Sequence, residues 1–312
     1  MTIDVAINVY GKPFQTAVAL LSLEKHSGKH INKIYFAKEQ RQPGNISFEF
    51  LYDLLAEKII VYTPSYWNGW KSTDTARFDD TEYRRSLRYQ YAWEESNADY
   101  LFVTHNDVLY SGDIIGKFVG VIGQNAAVGE IGQCWNCPAF SAGVCNGDHY
   151  LDFKPTHEEL LTLYNKYPTK RVGWERFVDE KAPWPLPECR VNEWAALINL
   201  SLVKQETLPF GDSCPFGCMT LDVGTQWFRD MALKGYGFVN HPLEEFASHG
   251  WVLNGGGGHQ ALFEYDKYEQ GEAAALSMLV TEYELDEKTL VAATGGKWRT
   301  RIQSYIRKLR QN

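Results

Sequence analysis

The sequence predicts an α/β protein with a mostly parallel central sheet flanked by helices. Two observations predict it. Short β-branched runs alternate with helical runs through the first third of the chain, and such alternation builds parallel sheets covered on both faces. The 312 residues are 44% hydrophobic, enough for one large core or two fused lobes. No stretch approaches the roughly 20 apolar residues of a membrane span.

The elements follow in order. Residues 3–9, IDVAINV, read as a buried strand. Pro13 suits a first helical turn, and FQTAVALLSLEKHSG sets Phe14, Val18 and Leu21 on one face before Gly28 ends the helix. IYFA at 34–37 is a second strand, FEFLYDLLAEK a helix, and IIVYT at 59–63 a third strand. A helix over 81–96 carries Tyr83, Leu87 and Tyr91 in one row and leads to the strand YLFVT at 100–104. AAVGEIG (126–132), WAALINL (194–200) and GFVN read as later strands. Short helices are expected near 157–166 and over Leu221–Lys234. Residues 134–190 are irregular and rich in Cys, Pro, Trp and Gly.

In parallel sheets ligands bind at the carboxyl ends of the strands. Here those ends carry Asn8, Tyr10, Glu39 and the run His105-Asn106-Asp107. A carboxylate on a rigid strand end suits a divalent cation that also binds phosphate oxygens. The alternative is a polar Asn-Asp turn. Arg84 and Arg88 share one face of the preceding helix, with Arg85 on the neighbouring face. Their guanidinium forks suit phosphate, or else they pair with Asp79, Asp80, Glu94 or Glu95.

The order of these parts resembles the GT-A nucleotide-sugar glycosyltransferases, family 2 in particular. INVYGKP is similar to that family's opening strand and turn, and YLFVTHNDV to its strand ending in a DxD motif. TLDVGTQWFRDMALKGYGF is similar to its helix led by an acidic residue, here Asp222, and HPLEEFASHGW places His249 where a histidine often completes the metal site. The likeness covers residues 3–250. It implies a GT-A fold, a nucleotide-diphosphate sugar donor, and Mn2+ or Mg2+ held by Asp107, His105 and His249. The chain departs from the pattern in three places. His105 replaces the first Asp of DxD, Glu39 is only the nearest candidate for the acid after the second strand, and Leu221 replaces the Glu before Asp222.

Asp222 also makes sense from its own chemistry. Inverting transfer needs a base for the acceptor hydroxyl, and helix amides orient a carboxylate at a helix N-terminus. The plainer reading is a helix cap. His249 and His259 flank Gly255–Gly258, either a lid over the nucleotide or a surface loop. Trp135, Trp194 and Trp251 could shelve sugar rings. Cys134, Cys137 and Cys145 suggest a structural zinc, with Cys189 or the Cys214/Cys218 pair as fourth ligand; ordinary buried thiols are the alternative.

The formal charge of −8 argues against a nucleic-acid partner. MTIDVAINVYG enters a strand without a basic leader, so a cytoplasmic location is expected. The basic tail, with Trp298, Ile302, Tyr305, Ile306 and Leu309 on one side, could touch an anionic membrane where lipid-linked acceptors reside, or pack on its own domain. The expected division is a nucleotide-sugar lobe (1–125), an acceptor lobe (126–260) and a helical tail (261–312). The expected activity is metal-dependent, inverting transfer of a sugar to a carbohydrate or lipid-linked glycan acceptor. The alternatives are a retaining transferase of related fold and a non-catalytic carbohydrate-binding protein.

Overall fold

The computed structural model describes residues 1–43, 46–69, 71–169, 171, 173–252 and 263–292. The Gly-rich loop, His259 and the basic tail lie outside the described residues. In chain order the elements are β1 (Ile3–Val9), α1 (Pro13–Ser27), β2 (Ile31–Lys38), α2 (Glu49–Leu54), β3 (Ile59–Tyr62), α3 (Thr81–Arg85), α4 (Gln90–Glu95) and β4 (Tyr100–Thr104). They continue with β5 (Val108–Tyr110), α5 (Ile114–Ile122), β6 (Ala127–Ile131), α6 (Pro138–Ser141), α7 (His157–Lys166), β7 (Val191–Ile198) and α8 (Leu200–Val203). Last come α9 (Thr225–Leu233), β8 (Phe238–Asn240), β9 (Ala247–His249), α10 (Tyr265–Thr281) and α11 (Glu287–Ala292). The arrangement is α/β, with most strand pairs parallel, as expected. Among the described residues no helix is long and apolar enough to cross a membrane.

Two compact units interleave along the chain. They differ from the consecutive lobes expected from sequence, which divide the chain by ligand rather than by compactness. The first unit holds 2–67, 104–116 and the described part of 244–312. In it β1 pairs parallel with β2, and β2 with β3, in registers such as Val5↔Ile34 and Phe36↔Val61. Val5, Ile7, Val9 and Phe36 are fully buried, the continuous apolar run of a covered parallel sheet. Gly11 (φ 64°) and Lys12 (φ 55°) turn the chain from β1 into α1. A Cβ on Gly11 would stand 2.9 Å from Pro43 and 3.0 Å from the Tyr268 hydroxyl, so the turn needs glycine on two counts. Helix α1 starts with Pro at its first position, as expected, but the one-faced burial read from its sequence does not hold. Phe14, Ala17, Val18, Ala19 and Leu20 are all buried, because β5 and α10 both pack on it.

The second unit holds 68–103 and 117–243, with Met1. Its strand order is β4-β7-β6-β8, with β6 antiparallel to β7 and parallel to β8. Trp93, Phe216 and Trp227 form its aromatic core; Trp93 stacks on Phe216 and meets Trp227 edge-on. Residues 132–190 leave the β6–β7 pair as a long excursion carrying α6 and α7.

The helix expected over 81–96 is two short helices, α3 and α4. The break has a physical cause. Ser86 bonds back to the Glu82 carbonyl through its hydroxyl (2.7 Å), and Tyr89 takes a left-handed φ of 62°. Residues ten apart on one straight helix would stand about 15 Å apart along its axis. The break instead lets Arg84 reach Glu94.

Candidate functional site

In the first unit β5 and β9 form a short antiparallel ribbon, with Val108 opposite His249. The Gly250 amide donates to the Asp107 carbonyl (2.9 Å), which extends the ribbon by one residue. The ribbon thereby sets His249 beside the turn that follows β4. His249 Nε2 lies 3.2 Å from Asp107 Oδ1 and 3.2 Å from His105 Nδ1, and His105 Nδ1 lies 3.9 Å from Asp107 Oδ1. Among the described residues this is the group of three potential metal ligands within 4.8 Å of one another.

The donor set fits a divalent cation. An ion equidistant from three atoms with these separations sits about 2.0 Å or slightly more from each, close to metal–nitrogen and metal–oxygen bond lengths. Two imidazoles with one carboxylate suit a first-row transition ion better than Mg2+, which prefers oxygen.

The sequence reading missed Lys12. Its Nζ donates to Asp107 Oδ2 at 2.7 Å, and both side chains are buried, at 1% and 2% exposure. Burial alone would raise the Asp107 carboxyl, but the Lys12 charge and the His249 hydrogen bond hold it well below the usual carboxylate range. One carboxylate oxygen thus serves the ammonium, and the other faces the two imidazoles. Lys12 is fixed in turn by its backbone, whose amide donates to the Tyr268 hydroxyl (3.0 Å). The signal in sequence was a lysine in the tight turn after β1, which is visible but not specific.

The other predicted residues of this edge divide by role. Asn106 donates to the Gly11 carbonyl and to Thr16 Oγ1 (3.3 Å each), so it anchors the β1–α1 turn and does not face the donor triangle. Glu39 follows β2, buried, and its amide donates to the Val9 carbonyl. Asn8 is half-buried near the end of β1. Tyr10 lies 6.3 Å from Trp67, ring centre to ring centre, and Arg41 stands over the same indole at 5.0 Å. Trp67 and Arg41 were not singled out in sequence. Together with Tyr10 they form an aromatic and cationic group after the ends of β1 and β2, of the kind on which a base can stack.

In the second unit the arginines are corrected. Arg84 and Arg85 both bind Glu94 (2.8 and 2.9 Å), and Arg85 also binds Glu95. Arg84 further donates to the Phe78 carbonyl. These guanidinium groups hold α3 to α4 and are committed to carboxylates rather than to phosphate. Arg88 lies 3.9 Å from Glu193.

Asp222 is not in the first turn of a helix. Helix α9 begins at Thr225 with Gly224 (φ 81°) at its cap. Asp222 instead sits in a polar cluster. Gln133 donates to its Oδ2 (2.8 Å), Arg190 approaches Oδ1 (3.2 Å), and Arg171 lies 3.7 Å away and donates to Gln133. Arg190 also binds Glu193 (2.5 Å). Gln133, Arg171, Arg190 and Glu193 were invisible in sequence because they come from three separate stretches of the chain, each remote from Asp222. Of the expected sugar shelves, Trp135 is 77% exposed, while Trp194 and Trp251 are half-buried.

No family model and no curated protein matches this chain. Solved structures do. The chain is similar to the mannosyltransferase PcManGT from Pyrobaculum calidifontis, solved in complex with GDP-Man and Mn2+, at 11% identity and a TM-score of 0.43, covering 97% of this chain and 84% of that one. It is similar to mouse xyloside xylosyltransferase 1 at 13% identity and a TM-score of 0.41, covering 78% and 86%. TarS from S. aureus matches at 10% identity and a TM-score of 0.42, covering 93% and 68%. A fold can carry more than one chemistry, so function rests on the sites.

Proposed function

We propose that this protein is a glycosyltransferase that moves a sugar from a nucleotide-diphosphate sugar to an acceptor hydroxyl, using Mn2+. The observation that carries the reading is the His105–Asp107–His249 triangle after β4, with Lys12 on the far oxygen of Asp107. When bound, the cation supplies positive charge to the diphosphate leaving group. Lys12 and Asp107 cancel one another, so the ion keeps its full charge for the diphosphate rather than losing it to two carboxylates. Tyr10, Trp67 and Arg41 hold the nucleotide base, with Glu39 close by. Asp222 takes the proton from the acceptor hydroxyl in an inverting transfer, and Trp135 packs on the acceptor, a carbohydrate or lipid-linked glycan.

One observation favours a second reading. Both Asp222 oxygens are engaged, by Gln133, Arg190 and the Val223 amide (2.9 Å). A carboxylate so occupied suits a positioning role, and a retaining transfer needs no such base. The test is a panel of nucleotide sugars, with and without Mn2+, read by nucleotide-diphosphate release, thermal shift and the anomeric configuration of the product. Metal-dependent release supports the reading, and the configuration assigns inversion or retention. Stabilisation by free glycans but by no nucleotide, even with Mn2+, would show a carbohydrate-binding protein instead.

A further inference from the structure

The excursion between β6 and β7 brings four cysteines to one place. Cys134, Cys137, Cys145 and Cys189 line a single small cavity in the second unit, with Glu188 among them. All four are free thiols. Cys134 follows β6 and Cys189 precedes β7. The β6–β7 ladder continues past both strands through Gly132 N–H to Arg190 O (2.7 Å) and Gln133 N–H to Glu188 O (2.9 Å), which brings both cysteines to the rim of the same cavity. The Cys134–Cys137 turn closes through the Cys137 amide on the Cys134 carbonyl (3.0 Å). Cys145 comes from the loop after α6. The remaining pair, Cys214 and Cys218, is a separate group whose thiols interact with each other.

We propose that these four cysteines form a structural Zn2+ site that staples the base of the 132–190 excursion. Three features of the cavity point to a cation. Its free space is about 10 Å³, near the lower limit for one small occupant. Backbone amides lie near two of the sulfurs, Gly147 by Cys134, and Ala139 and Phe140 by Cys137. Glu188, 1% exposed, takes the Tyr164 hydroxyl on Oε2 (2.7 Å), while its Oε1 is buried with no hydrogen-bond partner.

The sulfurs stand farther apart than a bound ion would hold them, since no three of them lie within 4.8 Å of one another. Sulfurs on a tetrahedral zinc are about 3.8 Å apart. A cysteine sulfur swings on one bond between staggered positions, and binding an ion calls for the four sulfurs to turn inward. The consequence for the neighbouring cluster is direct: Gln133 and Arg190, which hold Asp222, are each adjacent in sequence to a ligand.

The experiment uses the full chain carrying His105→Ala and His249→Ala, so that the other candidate site contributes no metal. Metal content is measured after purification and after exchange with Co2+. The expected result is about one zinc per chain, and a cobalt form with thiolate-to-cobalt charge-transfer bands and the strong visible bands of a tetrahedral site. Cys189→Ser should abolish those bands, while Cys214→Ser should leave them. Should Cys189→Ser fail to fold, the spectrum of the parent chain still decides. A chain that takes up neither metal, a cobalt spectrum without thiolate bands, or disulfides among these four cysteines would overturn the proposal.

Discussion

Lys12→Met tests the electrostatics of the donor triangle. The Lys12 ammonium lies 2.7 Å from Asp107, with both groups at 2% exposure or less. Removing one partner of a buried ion pair typically costs about 3–5 kcal/mol, because the remaining charge has no water to turn to. Asp107 would keep the imidazoles of His105 and His249 beside it. In EDTA the variant should therefore lose about 3–5 kcal/mol against wild type. With Mn2+ at about 100 times its Kd, wild type gains about 2.7 kcal/mol by mass action. The variant should gain more, because the carboxylate regains a cation and the ion no longer faces an ammonium. Most of the deficit should vanish. The assay is urea unfolding followed by tryptophan fluorescence, run in EDTA and in Mn2+. A loss below about 1 kcal/mol in EDTA, the range of an exposed pair, would refute the buried-pair argument. Equal gains from Mn2+ in both proteins would show that the ion does not bind at Asp107.

Asp222→Asn should leave nucleotide-sugar binding intact and lower kcat by about 100-fold or more if Asp222 is the base, checked by steady-state kinetics; turnover near wild type would assign it to positioning. Glu272 gives a pH prediction. It is buried among the Phe14 and Gln15 amides at the start of α1, and burial pushes it up to about 7 from the ordinary 4.5. The folded state then holds its proton longer than the unfolded one. Stability is full below about pH 4.5 and falls by about 3 kcal/mol as pH rises through 7. Glu272→Gln should flatten that slope in urea unfolding across the same window, and an unchanged slope would show that other groups carry it. Gly217→Ala should cost about 3 kcal/mol or more by thermal unfolding, since its new Cβ would stand 1.8 Å from the Arg88 carbonyl oxygen.

What could be read from the sequence, and what could not, follows from how far each feature reaches. Strands β1 and β4 were legible because burial on both faces writes a continuous apolar run, and β2 and β3, which are partly exposed, because their β-branched and aromatic residues stand out between helical runs. His105, Asp107 and His249 were legible because a polar end on such a run stands out. Lys12 was not. Its burial depends on Asp107 and on Tyr268, 95 and 256 positions away, and no local pattern marks a lysine for the interior. The arginines failed for the opposite reason. The helix breaks at Ser86–Tyr89, which ends the shared face and brings Glu94 to Arg84 and Arg85, the pairing held as the alternative, while Arg88 lies near Glu193. The cysteines lie between these cases. Spacing marked Cys134, Cys137 and Cys145 as a group but left the fourth member open between Cys189 and the Cys214/Cys218 pair. Cys189 lines one small cavity with those three, whereas Cys214 and Cys218 interact with each other as a separate pair, a grouping only the fold reveals. The Gly132 amide donates to the Arg190 carbonyl at the rim of that cavity, so the ladder that borders the thiols also carries the partners of Asp222. An ion at the cysteines and the geometry of the candidate base should therefore rise and fall together, although nothing in the linear sequence joins them.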